Sequence, residues 1–301
     1  KCSVCPNRKL SPIKDSDIYK HFEGKDCYGR DVIGIYPMLI DETCYFLCVD
    51  FDDEEYEKDA LAFCEICDEL KVPAYIERSR SGCGAHVWIF FVAPVPAAMA
   101  RRLGSLILTK AMKHRSELSF SSYDRLFPNQ DTMPNGGFGN LIALPLQGKA
   151  RKQGNSVFVD RNFNSYPDQW AYLSGIRKLD ITSIEEILNE ASQNDILGTL
   201  IDESPEKPWE TEQRAILSKN DFPDTLDVIR SNMLYIPKAG LSANAQNQIK
   251  RLAAFKNPDF YKAQAMRLPI YDKPRIICTA DMTESYIGIP RGCETALCDM
   301  L

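Results

Sequence analysis

The chain has 301 residues and a net charge of −6, with 44% hydrophobic and 26% charged residues. That length suggests about two domains, and the composition is that of an ordinary soluble globular protein. No stretch reaches the ~18 uninterrupted apolar residues of a membrane span, and the acidic balance argues against a protein that coats nucleic acid through a wholly basic surface.

Lys1 in place of Met reads as the start of a piece of a longer protein, and no signal-peptide pattern follows it. Eleven cysteines without a secretory context read as mostly reduced thiols of a cytoplasmic protein with at most one metal cluster. Cys2-x2-Cys5 presents two thiolates to one Zn²⁺, with His21, Cys27 or Cys44 as candidates for the remaining ligands. The set taken forward is Cys2, Cys5, His21 and Cys27, a structural zinc site. A pair of free thiols is the plain alternative.

Residues 31–40 read as a strand, Asp41-Glu42 as a turn, and residues 44–52 as a second strand. The second strand ends in Asp50 and Asp52, which alternate onto one face, roughly 6–7 Å apart. Two carboxylates so placed can hold a pair of divalent cations about 3.5–4 Å apart, which suits phosphoryl transfer. The plain alternative is a strand running into the acidic turn Asp52-Asp53-Glu54-Glu55. An EF-hand does not fit, because Glu55 stands where Gly is needed and Leu61 where Glu is needed.

Residues 57–70 read as a helix with Phe63, Ile66, Cys67 and Leu70 on a core-facing stripe. Cys64-x2-Cys67 falls in that stripe, so its thiols read as small hydrophobes rather than a redox or zinc motif. After a strand from Val72 to Arg78 comes Ser79-Arg-Ser-Gly-Cys-Gly-Ala-His86. Gly82 and Gly84 allow a tight turn and close approach of N–H groups to an anion. Ser79 and Ser81 add donors, Arg78 and Arg80 add charge, and His86 opens a strand over 87–92. Beside the carboxylate pair this turn reads as a triphosphate seat.

Residues 97–115 read as a helix whose Arg101, Arg102, Lys110, Lys113 and Arg115 face out, a solvated face or a nucleic-acid contact. Ser119 to Gln130 brings a third acid, Asp124. A Gly- and Asn-rich loop, a strand over 141–146, a basic cluster with Lys149, Arg151 and Lys152, and a strand over 155–160 follow.

Taken together these residues resemble the archaeo-eukaryotic primase, or primase-polymerase, superfamily. Its motifs are an Asp-x-Asp at a strand end (Asp50, Asp52), a Ser/Gly turn leading to a histidine (Ser81 to His86), and an acid after a hydrophobic residue (Tyr123-Asp124). Cys2-x2-Cys5, Ile35-Tyr36-Pro37, Phe127-Pro-Asn-Gln-Asp131 and Asn257-Pro-Asp-Phe-Tyr261 are similar to the bacterial and phage branch fused to a DEAD-type helicase. The resemblance implies an RNA-recognition-motif-like core, Mg²⁺ or Mn²⁺ held by Asp50, Asp52 and Asp124, and template-directed nucleotide addition. Asp160 is the rival for the third acid. Ser81 and His86 would hold the triphosphate, with Arg80, Gly82, Gly84 and Lys149 around it and Arg125 and Arg151 as further phosphate contacts. Implied partners are a single-stranded DNA template and primer, dNTP or NTP, and a helicase in cis or trans.

The tail reads as helical over 163–200, then a linker over 204–212. Beyond it a short helix over 224–233, a helix capped by Ser242 and running to about Lys256, and a helix from Pro258 are expected. Lys250, Arg251, Lys256, Lys262 and Arg267 could guide a template by counterion release, and Phe255 and Phe260 stack on bases or pack in the core. A short strand is expected over 275–279, and Ile287 to Cys293 resembles the lead-in to a helicase. No P-loop motif occurs, so a helicase would begin beyond Leu301.

The expected fold is α+β: a zinc-knuckle-like segment 1–30, a catalytic core 31–200 and a mainly helical accessory domain 214–301. Two other functions use the same residues. One is a metal-dependent nuclease. The other is a non-catalytic zinc-knuckle DNA-binding module that recruits a helicase.

Overall fold

The computed structural model describes residues 12–194, 217–270 and 272–301. Helix α1 (Asp15–Glu23) leads to strand β1 (Gly34–Ile35), the long strand β2 (Thr43–Phe51) and helix α2 (Tyr56–Glu69). Strands β3 (Tyr75–Arg78) and β4 (Ala85–Pro96) form a hairpin that feeds helix α3 (Ala97–His114). Strands β5 (Leu126–Phe127) and β6 (Ile142–Ala143), helix α4 (Gly148–Arg151), strand β7 (Val157–Val159) and helices α5 (Gln169–Ser174) and α6 (Ile181–Asn194) follow.

The central sheet has the order β5-β2-β4-β3-β7, with every neighbouring pair antiparallel. Its register pairs Asp50 with His86 and His86 with Glu77. Side chains alternate along a strand, so these three residues form one row across one face. The opposite face carries Leu47, Val49, Ile76, Val87 and Ile89, all buried in the main core with α2 and α3. Each fully buried aliphatic side chain there contributes roughly 1.5–3 kcal/mol relative to exposure. On α2 the expected stripe is in place. Cys64 and Cys67 are buried free thiols, and burial pushes Cys64 up to about 12, the reverse of a metal-binding or reactive thiolate.

Several expectations are corrected. The strand over 31–40 shrinks to β1, and the strand over 141–146 to β6, its antiparallel partner. Each run contains a proline, Pro37 or Pro145, which has no N–H for a ladder. The helical run over 163–194 breaks into α5 and α6, and the chain between them bonds to β4 through Leu179 and Phe90. Arg101 of α3 does not face solvent. It is buried and ion-paired with Asp131, while Arg115 pairs with Asp59 and Glu55.

The C-terminal unit contains strands β8 (Ile229–Arg230) and β9 (Leu234–Pro237), helix α7 (Ala243–Leu252), strand β10 (Ala254–Lys256) and helix α8 (Pro258–Ala265). Strands β11 (Ile276–Cys278), β12 (Asp281–Met282) and β13 (Tyr286–Ile289) and helix α9 (Glu294–Met300) complete it. It is mixed rather than mainly helical. A four-stranded sheet, β12-β13-β9-β8, packs Leu234, Ile236, Ile287 and Ile289 against Ala245 and Ile249 of α7. Those strand residues alternate with period two, too briefly to stand out from helical patterning.

Ser242 caps α7 as expected, its Oγ accepting the Ala245 N–H at 3.0 Å. The helix stops at Leu252 because residues 254–256 pair with β11. No helix forms over 224–233, where β8 stands instead. The unit docks on the first through Asn247, which donates to the Met112 carbonyl, and Lys250, whose Nζ donates to the Ser116 carbonyl at 2.5 Å. The expected linker over 204–212 lies outside the described residues, as do Cys2 and Cys5. No helix among the described residues is long and apolar enough to cross a membrane.

Candidate active site

The site begins where the apolar strand β2 runs out. Asp50 lies opposite His86 on β4, and His86 lies opposite Glu77 on β3. His86 Nδ1 is 2.9 Å from Glu77 Oε2, and its Nε2 is 3.5 Å from Asp50 Oδ1. Glu77 is only 1% exposed, and its carboxylate also accepts the Trp88 Nε1–H at 2.9 Å and the Ser156 hydroxyl at 3.3 Å. A buried carboxylate with three hydrogen-bond partners is satisfied, which fixes its place under the histidine.

Both ring nitrogens of His86 therefore face carboxylate oxygens, an arrangement that suits an imidazolium with two N–H donors. Burial disfavours that charge. The Glu77 hydrogen bond and the charges of Glu77, Asp50 and Asp52 outweigh burial and raise the His86 pKa. Burial also pushes the Asp50 carboxyl up. His86 and Arg125 oppose this, while Asp52 and Glu77 add to it. Beyond the charged row the same face is aromatic. Trp88 is stacked 5.9 Å from Phe90 and lies 5.1 Å from Phe46, giving the site an apolar floor.

Arg125 reaches the acids through the β2–β5 register. Cys48 pairs with Phe127 and Val49 with Leu126, and one step further places Arg125 opposite Asp50. The Asp50 N–H donates to the Arg125 carbonyl at 3.1 Å. Arg125 Nη1 lies 3.0 Å from Asp52 Oδ2 and 3.7 Å from Asp50 Oδ2.

Asp124, the expected third acid, ends a 3₁₀ turn over Phe120–Asp124 that leads into β5. Its Oδ1 accepts the Arg275 N–H at 2.9 Å, and it lines a cavity of about 330 Å³ with Asn129, Phe260, Lys273 and Pro274. Asp160, its rival, directly follows β7. Its carboxylate accepts the N–H groups of Asn162 and Asn164 at 2.8 and 2.9 Å, a local turn.

The turn from Ser79 to Gly84 abuts the acids. The Ser79 N–H bonds the Gly84 carbonyl at 2.9 Å, the two serine hydroxyls lie 3.0 Å apart, and the Cys83 N–H donates to Ser81 Oγ at 3.2 Å. Gly82 has φ +82, the left-handed region that favours glycine. A Cβ on Gly84 would lie 2.8 Å from the Phe51 carbonyl oxygen, so only glycine lets the turn rest against the end of β2. Arg80 and Ser81 are exposed beside it. Lys149 is exposed on α4, which is tied to Glu77 through Ser156, whose Oγ accepts the Gln147 N–H at 3.3 Å. Arg151 is spent on the Phe22 carbonyl at 3.2 Å.

His21, an expected zinc ligand, lies at the end of α1. It is fully buried, with Nε2 3.1 Å from the Pro145 carbonyl and Nδ1 accepting the Ile33 N–H at 3.1 Å. Cys27 is exposed. Among the described residues no group of three or more His, Cys, Asp or Glu side chains is arranged to hold a metal ion.

Asp50 and Asp52 nonetheless aim one oxygen each at a single cationic nitrogen of Arg125. Two hard oxygen donors sharing a cation fit Mg²⁺ or Mn²⁺, which are commonly held by one or two carboxylates with water and substrate phosphates as the remaining ligands.

Glu77 escaped the sequence reading. Its signal was a lone carboxylate inside the apolar run Ala74-Tyr-Ile-Glu77, in hairpin register with His86 about the Gly-rich turn.

An antiparallel sheet that presents an Asp-x-Asp, a histidine between carboxylates and a Gly/Ser turn at one end is the layout of a primase-like nucleotidyltransferase. The chain matches the family model described as the archaeo-eukaryotic primase domain of the TOTE conflict system over residues 1–187, and it belongs to that family. Among curated proteins none matches it.

Proposed function

We propose that this chain is a template-directed DNA primase-polymerase that joins a dNTP or NTP to a 3′-hydroxyl and releases pyrophosphate. The observation that carries this is the convergence of Asp50 and Asp52 on one cationic point, with the His86 imidazole 3.5 Å from Asp50.

Asp50 and Asp52 hold the divalent cation, Mg²⁺ or Mn²⁺. When bound, that ion neutralises the triphosphate and stabilises charge on the attacking and leaving oxygens. A carboxylate faces each ring nitrogen of His86 and its pKa is raised, so it serves as an N–H donor to a phosphate rather than as a base. Glu77 holds the ring in place. Ser81, Gly82 and Gly84 offer the turn's hydroxyl and backbone to the triphosphate, and Arg80 and Lys149 supply positive charge at the rim. A single-stranded DNA template and primer are the macromolecular substrates, and a helicase in cis or trans is the partner that the family resemblance implies.

Primer extension on a single-stranded template, with dNTPs and NTPs given separately, tests the assignment. Template-dependent extension with one pyrophosphate per nucleotide, lost in Asp50→Ala, supports it. Hydrolysis of the DNA without pyrophosphate would instead place the same acids in a nuclease.

A further inference from the structure

Resting on the metal-dependent reading of this site, we propose that Arg125 is the resident counter-cation of the Asp50–Asp52 pair and sets the threshold for divalent-cation binding there. One guanidinium nitrogen, Nη1, serves both carboxylates, at 3.0 Å from Asp52 and 3.7 Å from Asp50. Two carboxylates this close repel each other unless a cation lies between them, and the guanidinium supplies it.

The backbone of Arg125 is pinned. Its carbonyl accepts the Asp50 N–H at 3.1 Å, and its own N–H donates to the Ser122 carbonyl at 3.2 Å. The side chain, by contrast, is 47% exposed, so a rotamer change carries the guanidinium away without disturbing the core.

A divalent ion that takes the shared point meets a unit positive charge at contact distance and must displace it. The displaced guanidinium remains tethered beside the acids, where a bidentate fork suits a phosphate. Cation and triphosphate thus favour each other's binding through one side chain. Arg125 acts on the cation through charge and occupancy, while its pinned backbone keeps the side chain within reach of the acids.

The test is a direct Mn²⁺ titration of the full chain, read by loss of the free-ion paramagnetic signal and by calorimetry. It compares wild type with Arg125→Ala, Arg125→Gln, Arg125→Lys and Asp50→Asn, each checked for folding by thermal unfolding. Removing the charge (Ala, Gln) tightens Mn²⁺ about tenfold or more, whereas Lys stays within roughly threefold of wild type. Asp50→Asn weakens Mn²⁺ in every background.

Unchanged or weaker Mn²⁺ affinity in both neutral variants, with Asp50→Asn still weakening it, overturns the role of Arg125 and leaves the acids as metal ligands. Mn²⁺ binding that ignores Asp50→Asn overturns the metal assignment and the role of Arg125 with it. Arg125→Gln keeps the test decisive where Arg125→Ala alone does not fold.

Discussion

Asp50 and Asp124 make an instructive pair. Asp50 lies on β2 and Asp124 in the 3₁₀ turn that leads into the neighbouring strand β5, and burial pushes both carboxyls up. Yet their partners differ. Asp50 joins His86 and Arg125, while Asp124 accepts a backbone N–H from Arg275 in the C-terminal unit. On the open face, acids gather around cations that a substrate can replace. On the face that the C-terminal unit covers, the acid meets that unit's backbone.

The sharpest way to break this comparison is to remove each acid in turn. Asp50→Ala and Asp52→Ala should each lower primer extension by ~10³-fold, the scale of losing a metal that stabilises transition-state charge. Asp124→Ala should leave extension within roughly threefold of wild type, but cost about 1–3 kcal/mol of stability by orphaning the Arg275 N–H. Extension rates and denaturant unfolding of the three variants decide the matter. If Asp124→Ala is as inactive as Asp50→Ala while remaining folded, the acid on the covered face belongs to the chemistry after all.

A smaller effect is expected one strand over. His86→Ala should raise the nucleotide KM by about 10–100-fold, since a charged N–H donor to a phosphate is lost. Glu77→Gln keeps the shape of the buried acid but removes its charge. It should raise the nucleotide KM less than His86→Ala does, while retaining most of kcat. Steady-state kinetics with one varied dNTP separates the two. A Glu77→Gln enzyme identical to wild type would reduce Glu77 to packing.

Much of the open face was legible in the sequence, because its signals are local. An apolar run ending in Asp-x-Asp and a Gly/Ser turn before a histidine each fall within ten residues, and β2, α2, β4 and α3 lie close to their expected bounds. What was not legible depends on register and on tertiary partners. Glu77 gains meaning only when the hairpin sets it beside His86, and the backbone N–H that meets Asp124 comes from Arg275, 151 residues along the chain. Arg101, read as outward, is buried because Asp131 meets it from a loop thirty residues away in the chain. Nothing local predicts that the Pro145 carbonyl and the Ile33 N–H meet the two ring nitrogens of His21. The short alternation of β9 and β13 lacked the length to be told from helix.

The covered face has a titratable group of its own, and it offers the mildest prediction. Lys250 lines a cleft of about 540 Å³ with Asp124, Phe120 and Ile276, and its Nζ is spent on the Ser116 carbonyl. Burial lowers its pKa to about 8 from the usual 10.5, with Lys238 and Arg251 adding to the drop and Cys278 and Glu117 opposing it. The unfolded chain therefore binds the proton more tightly than the folded one between those two values. Below that window both states are charged and the folded state bears the full cost of the buried ammonium. As pH rises through the window, the cost falls and stability increases. Lys250→Met removes the proton and with it this slope, so the stability difference between wild type and variant should move in favour of wild type from pH 8 to pH 10. Urea unfolding of both proteins at matched pH values reads the difference directly, with other titrating groups cancelling. A flat difference would mean that water reaches Lys250 in solution, and that the covered face is wetter than the buried lysine and its single carbonyl partner imply.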